Sequence, residues 1–206
     1  MRLVFPLLLF LLCISLQARK ADTLYYDSGQ VRSIGVTKNE RNHGLWKFYY
    51  PSGPLNAELN YQSGQLHGKQ VYYHQNGQVS GREFWQQDLM QDSAFYFYPD
   101  GKLEKKGPML DGLYDGQWQF YHENGNLKRV GNYQDGLPHG SWVFYFEDGT
   151  IWQKGSFKEG KEHGLWIFYE NNQRTYEGAY QNGTEAGDWY RYTKKGVKKK
   201  WRSYGS

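Results

Sequence analysis

The sequence predicts an all-β protein: an elongated, single-layer antiparallel sheet of tandem β-hairpin repeats of about 24 residues. Three observations predict it. Residues 140–151 read GSWVFYFEDGTI, in which Trp142 and Phe144 alternate with Val143 and Tyr145 before the Asp148-Gly149 pair. Period-two alternation running into Asp-Gly is a strong local signal for a hairpin. The phrase recurs with its opening residue at Gly44, Gly68, Asp92, Gly116, Gly140, Gly164 and Gly187, spaced by 24 residues five times and then by 23. Composition agrees: aromatics are 18%, with 25 Gly and 6 Pro, so strand formers and turn formers dominate together. Leu, Ile and Val are too scarce past the first segment for a two-layer sandwich core, and the aromatics must supply most of the burial.

The first 18 residues stand apart from the repeats. Met1-Arg2 is a short positive start, Leu3 to Leu16 is almost wholly apolar, and Gln17-Ala18 offers a small residue for cleavage. That layout predicts a secretory signal peptide over 1–18, too short for a convincing membrane span, and export to the periplasm, outer envelope or medium after cleavage near Ala18. Cys13 is the only cysteine and lies in this segment, so the mature chain has no disulfide and no thiolate metal site.

The array then occupies 19–206, with repeats starting near 20, 44, 68, 92, 116, 140, 164 and 187; the first copy is truncated. Two residues after each opening residue come Trp46, Gln70, Ala94, Trp118, Trp142, Trp166 and Trp189. Two further on stand Phe48, Tyr72, Tyr96, Phe120, Phe144, Phe168 and Arg191, on the same face, because side chains alternate across a strand. The next residue, always aromatic, points to the opposite face. A turn follows at Ser52-Gly53, Asn76-Gly77, Asp100-Gly101, Asn124-Gly125, Asp148-Gly149 and Lys195-Gly196, where Gly, and less readily Asn or Asp, accepts positive φ. The copy at Asn172-Gln173 is one residue shorter and lacks the glycine, which predicts a distorted turn. The return strand leads to a second turn at Ser63-Gly64, Asp111-Gly112, Asp135-Gly136, Glu159-Gly160 and Asn182-Gly183. At a strand spacing of about 4.8 Å each repeat advances roughly 10 Å, so the array spans on the order of 70 Å.

The pattern Gly-x-Trp-x-Phe-Tyr-x-x-Asn/Asp-Gly-x-Leu is carried by 43–49, 116–121 and 163–169. It resembles the bacterial MORN-repeat variant, which defines the YwqK-like family named as toxin–antitoxin antitoxins. The resemblance covers about Tyr25 to Tyr204. It implies a β-hairpin array with protein-contact roles, membrane or lipid association in related proteins, and, from the family label, a toxin partner.

No constellation of nucleophile, base and orienting acid is visible, and no phosphate-cradling loop, so neither catalytic nor cofactor-binding residues are expected. His43, His67, His139 and His163 share one position, but equivalent positions in adjacent repeats are about 10 Å apart while a metal holds His nitrogens at about 2 Å. They are therefore expected at turns, bonded to backbone, with no metal site. His74 and His122 offer no convergent site either. The candidate contact surface is the opposite-face row: Tyr49, Tyr73, Phe97, Tyr121, Tyr145, Tyr169 and Tyr192. The candidate basic surface is Lys194, Lys195, Lys198, Lys199, Lys200 and Arg202; without them and Arg2, the formal charge of +4 becomes −3 over 19–193. These features predict an exported, non-enzymatic binding or scaffolding protein whose partner is another protein. A glycan or an anionic membrane surface is the alternative, and no nucleic acid is expected.

Overall fold

The computed structural model describes residues 21–205. The expected signal peptide and the start of the truncated repeat near residue 20 lie outside the described residues. The described chain is all-β, with 18 strands in one sheet. In order they are β1 (Asp22–Tyr25), β2 (Val31–Lys38), β3 (Arg41–Tyr49), β4 (Leu55–Gln62), β5 (Gln65–Leu66), β6 (Gly68–Tyr73), β7 (Val79–Gln86), β8 (Leu89–Phe97) and β9 (Leu103–Leu110). Then follow β10 (Leu113–Tyr114), β11 (Gly116–Tyr121), β12 (Leu127–Gln134), β13 (Leu137–Tyr145), β14 (Ile151–Lys158), β15 (Lys161–Glu170), β16 (Gln173–Gln181), β17 (Thr184–Tyr192) and β18 (Lys198–Tyr204).

Every strand pairs antiparallel with its neighbour in sequence, leaving β1 and β18 as the two edges. The split strands β5/β6 and β10/β11 lie against β4 and β9. The predicted antiparallel array of tandem hairpins is thus observed.

The two turns of a repeat differ in kind. The connection between repeats is a two-residue turn with both residues at positive φ, as in Asp135-Gly136 (φ 51° and 78°) between the paired Gln134 and Leu137. That is the type I′ geometry whose twist matches paired strands. The turn inside a repeat is wider. Gly125 N–H donates to the His122 carbonyl and His122 N–H to that of Asn126, each at 2.8 Å, and Gly125 alone has positive φ. Asn124 serves there by its side chain, its Oδ1 accepting from the Asn126 N–H at 2.9 Å. Asn76, Asp100 and Asp148 accept in the same way from Gln78, Lys102 and Thr150. The Asn/Asp preference comes from this local bond and not from positive φ.

The seventh repeat corrects the expectation of a distorted turn. Asn171 and Asn172, at φ 50° and 60°, form a tight two-residue turn closing the Glu170–Gln173 pair. Asparagine adopts the left-handed region more readily than other non-glycine residues, so the shortened copy changes turn type without losing regularity.

The opening residue of each repeat sits in a bulge. Gly140 and Ser141 fall between the Asn132–His139 and Gly131–Trp142 pairs, so two residues of β13 have no partner on β12. Gly140 has φ 66°, and Asp92, the one substitution at this position, holds φ 60°. The bulge is followed by the buried Trp, and this is where the core lies. Trp46, Trp118, Trp142, Trp166 and Trp189 are buried, and each indole lies on a glycine eleven residues earlier: Gly35, Gly107, Gly131, Gly155 and Gly178. A Cβ on Gly131 would stand 2.0 Å from the Trp142 ring. Four of the indoles donate Nε1–H to a carbonyl ten residues back, Trp142 to Asn132 at 3.0 Å among them.

Where the Trp is missing, so is the glycine. Gln70 is preceded at eleven residues by Leu59, and Ala94 by Glu83. Gln70 keeps the same bond, its Nε2 donating to the Asn60 carbonyl at 3.2 Å. Glu83 is buried beside Ala94, its carboxylate accepting from Tyr96 Oη and Trp85 Nε1, each at 2.8 Å. Further along the same face, Tyr133, Phe157, Tyr180 and Tyr204 stand edge-on to the indoles at centroid distances of 5.1–6.4 Å. An aromatic zipper, unbroken from Tyr114 to Tyr204 and interrupted before it at Gln70 and Ala94, therefore replaces the second layer that a sandwich would need.

Candidate binding surface

Strand alternation and register place the predicted contact row on the face opposite the tryptophans. Tyr49, Tyr73, Phe97, Tyr121, Tyr145, Tyr169 and Tyr192 are all half-buried there. Their covering comes from neighbours on the same face: Arg82 lies over the Phe97 ring at 5.3 Å and Lys154 over Tyr169 at 5.7 Å. Tyr73 Oη donates to Glu58 and Tyr121 Oη to Gln119, both at 2.9 Å. Register runs a second row across the same face, in which the charges of Lys47, Glu58, Arg82, Lys106, Lys154 and Glu177 are interspersed with Val71, Phe95, Gln119, Val130, Val143 and Ile167. Such a face offers rings and charges side by side to a polar macromolecule.

A second row, unnoticed in the sequence, fastens the repeats together. Tyr26, Tyr50 and Tyr98 donate their hydroxyls to the backbone carbonyls of Tyr49, Tyr73 and Tyr121, 23 residues on, at 2.7–2.8 Å. His74 and His122 stand at the same position and bond to the carbonyls of Phe97 and Tyr145 at 2.8 and 3.1 Å. The histidine expectation is thereby reversed. His74 and His122 are the backbone-bonding pair, whereas Nδ1 of His43 and of His163 is buried without a hydrogen-bond partner. The reason is reach: position 74 stands at the start of a wide turn, beside the next repeat's carbonyl. No group of three or more His, Cys, Asp or Glu suited to a metal occurs among the described residues.

The predicted basic residues Lys194, Lys195, Lys198, Lys199, Lys200 and Arg202 are all exposed on or beside the β18 edge. Part of that charge is compensated. Lys198 pairs with Glu177 at 2.5 Å and lies over Tyr190 at 3.9 Å, and Lys200 pairs with Asp188 at 2.6 Å. Burial opposes ionisation of Glu177, but bonds from Lys198 and Tyr192 and the nearby Arg174 outweigh it and hold the carboxyl below its usual range. Lys194 and Lys195 instead line a cleft with Arg174 and Tyr192, beside the short Asn171-Asn172 turn.

Around Glu83 the titration runs the other way. Tyr72 and Tyr96 have phenols pushed far above the ordinary value, first by burial and then by the Glu83 carboxylate. The negative charge and the loss of water both disfavour a phenolate.

One aromatic cluster breaks the repeat pattern outright. Phe146 occupies the position of the hydrogen-bonding Tyr/His row and is 37% exposed. Trp152, where other copies have Asn56, Ser80, Glu104 and Lys128, is 45% exposed. Their ring centroids are 6.1 Å apart, and Trp152 stands edge-on to Phe144 at 6.4 Å. Between them and Lys128, Arg129 and Glu147 lies a groove of about 400 Å³. Both departures are visible in the aligned repeats; what the alignment hides is that they meet.

A model of the MORN repeat variant family matches residues 42–63, 66–87, 93–111, 114–135 and 138–159, together just over half of the 206 residues. No curated protein matches the chain.

Proposed function

The chain belongs to the MORN repeat variant family, and from that premise we propose that it is a non-enzymatic binding or scaffolding module exported to the bacterial envelope, where it holds another protein. Repeats of this family suggest a protein that binds proteins or membranes. One observation carries the choice of protein: the face opposite the tryptophans presents half-buried aromatics with charged side chains of both signs among them, such as Lys47, Glu58, Arg82 and Lys154. Such a mixed face suits a polar protein surface better than an acyl-chain interior. The compensated Lys198 and Lys200 also weaken the pull of the β18 edge on an anionic bilayer, which depends on free charge. Export rests on the apolar segment Leu3 to Leu16 and the small residue Ala18.

The test is affinity capture from the envelope fraction with the mature chain as bait, together with fractionation of the producing cell. Recovery of one stoichiometric protein partner, with processed chain outside the cytosol, supports the proposal. Retention on cell-wall glycan with no protein partner would replace it with a glycan-binding role. Intact, unprocessed chain in the cytosol would replace it with the antitoxin-like role that the YwqK-like resemblance implies.

A further inference from the structure

We propose that the groove between Phe146 and Trp152 is a docking pocket for a segment of a partner protein that inserts one large apolar side chain beside a carboxylate. This rests on the protein-binding role proposed above and names its site and the partner's chemistry.

Two independent relaxations of the repeat pattern meet there. In the five preceding repeats the position of Phe146 is Tyr or His and carries the bond to the next repeat. Phenylalanine has no donor, so this ring is released from the structural duty of its row. Trp152 sits in the register shift between the Tyr145–Ile151 and Phe144–Gln153 pairs, at a position the wide-turn copies otherwise give to small polar or charged side chains. Nothing in the hairpin requires an indole there. The next repeat, moreover, has exchanged its wide turn for the two-residue Asn171-Asn172 turn, which removes the loop that would otherwise stand beside this one.

Size and charge then specify the occupant. A groove of about 400 Å³ walled by Phe144, Phe146 and Trp152 holds a single large side chain with its flanking backbone. Its rim is cationic. Arg129 lies over the Phe120 ring at 4.1 Å, its Nε is buried with no hydrogen-bond partner, and among the described residues neither it nor Lys128 has a carboxylate within ion-pair distance. Glu147 is the one acidic residue on the groove, opposed by these two cations. Along the sheet, Arg174 stands about two strand spacings away, roughly 10 Å, and Lys194 and Lys195 about four, roughly 20 Å, where they line the cleft beside the short turn. An aromatic or large aliphatic anchor flanked by Asp or Glu satisfies the rings and the unpaired guanidinium together; a neutral sugar would leave the latter without its counter-charge.

The experiment titrates the mature chain with two acetylated, amidated tripeptides, Asp-Phe-Asp and Lys-Phe-Lys, following the indole N–H signal of Trp152 by NMR. Variants Trp152→Ser, Phe146→Tyr and Arg129→Gln are titrated in parallel, with unfolding midpoints confirming that each is folded. The acidic peptide is expected to shift the Trp152 signal and to bind about tenfold more tightly than the basic one. Trp152→Ser should weaken it by about tenfold or more and Arg129→Gln by several-fold. Equal binding of the two peptides, or binding untouched by Trp152→Ser, would overturn the proposal, as would a neutral glucan oligosaccharide shifting the signal while both peptides leave it unmoved. Capture from the envelope fraction separates the levels. A partner held equally by wild type and by Trp152→Ser sinks the pocket and leaves the protein-binding role standing. A partner lost only with the variant, and competed by Asp-Phe-Asp, supports both.

Discussion

The indole of Trp142 lies flat on the Cα of Gly131, a residue of the preceding repeat, so closely that a Cβ there would fall 2.0 Å from the ring. Gly131→Ala must therefore displace the indole or bend the strand. A destabilisation of about 3 kcal/mol, the upper end of overpacking, is expected in urea unfolding. Trp142→Ala should cost about 3–5 kcal/mol by cavity formation. The double variant should cost clearly less than the sum, because the Glu83–Ala94 pair shows the fold surviving without either partner. Additive costs would show that the two residues are not coupled.

At the bulge, Asp92 holds φ 60° where the other copies place glycine. Asp92→Gly should raise stability by about 0.5–1 kcal/mol, and Gly140→Ala should lower it by about 1 kcal/mol. Thermal unfolding of the two variants checks the sign of each.

The Tyr/His row gives a paired prediction. Tyr98→Phe removes the bond from its hydroxyl to the Tyr121 carbonyl and should cost about 1 kcal/mol. Phe146→Tyr places a donor where the row is interrupted, facing the Tyr169 carbonyl, and should gain up to about 1 kcal/mol. Amide exchange at the 146–150 turn should slow in the second variant and quicken at the 98–102 turn in the first.

Alkaline pH should loosen the third and fourth repeats first. The phenols of Tyr72 and Tyr96 are raised above their ordinary value of 10 by burial and by Glu83. The sign follows from linkage. With the folded-state pKa above the unfolded one, their contribution is complete below pH 10 and is lost as pH rises beyond it. Tyrosinate absorbance should appear together with unfolding above that pH, and Glu83→Gln should flatten the pH dependence. Ordinary tyrosine titration in the native state would contradict this.

The period, the paired strands and the face carrying the tryptophans were legible in the sequence, because alternation and recurrence are one-dimensional signals. The Gly–Trp spacing of eleven was legible too, since Gly35, Gly107, Gly131, Gly155 and Gly178 each precede a Trp and the pair vanishes at Gln70 and Ala94. So was the row Tyr26, Tyr50, His74, Tyr98, His122, which is why dismissing the two histidines was a misreading of side-chain reach. Other features were not legible. The opening glycine's role in a bulge depends on which residues of β12 and β13 pair, and the sequence names residues without their partners. The half-burial of Tyr49 and its row depends on side chains such as Arg82 and Lys154 folding back over the rings. The Phe146–Trp152 groove needs a third fact, the type of turn at Asn171-Asn172, before its openness can be seen.

Because β1 and β18 are the opposite edges of one unclosed sheet, tension applied between them acts across the strands and loads the hydrogen bonds a few at a time. Such a sheet unzips and does not shear. Each surrendered repeat of 24 residues would release a length on the order of 80 Å. The Gly–Trp contacts span neighbouring repeats, so most steps break the same interlock, and the force should dip at the third and fourth repeats, where Gln70 and Ala94 replace the Trp. A sheet built this way is an extensible tether, which can lengthen under load by whole repeats while the repeats still folded keep hold of what they bind.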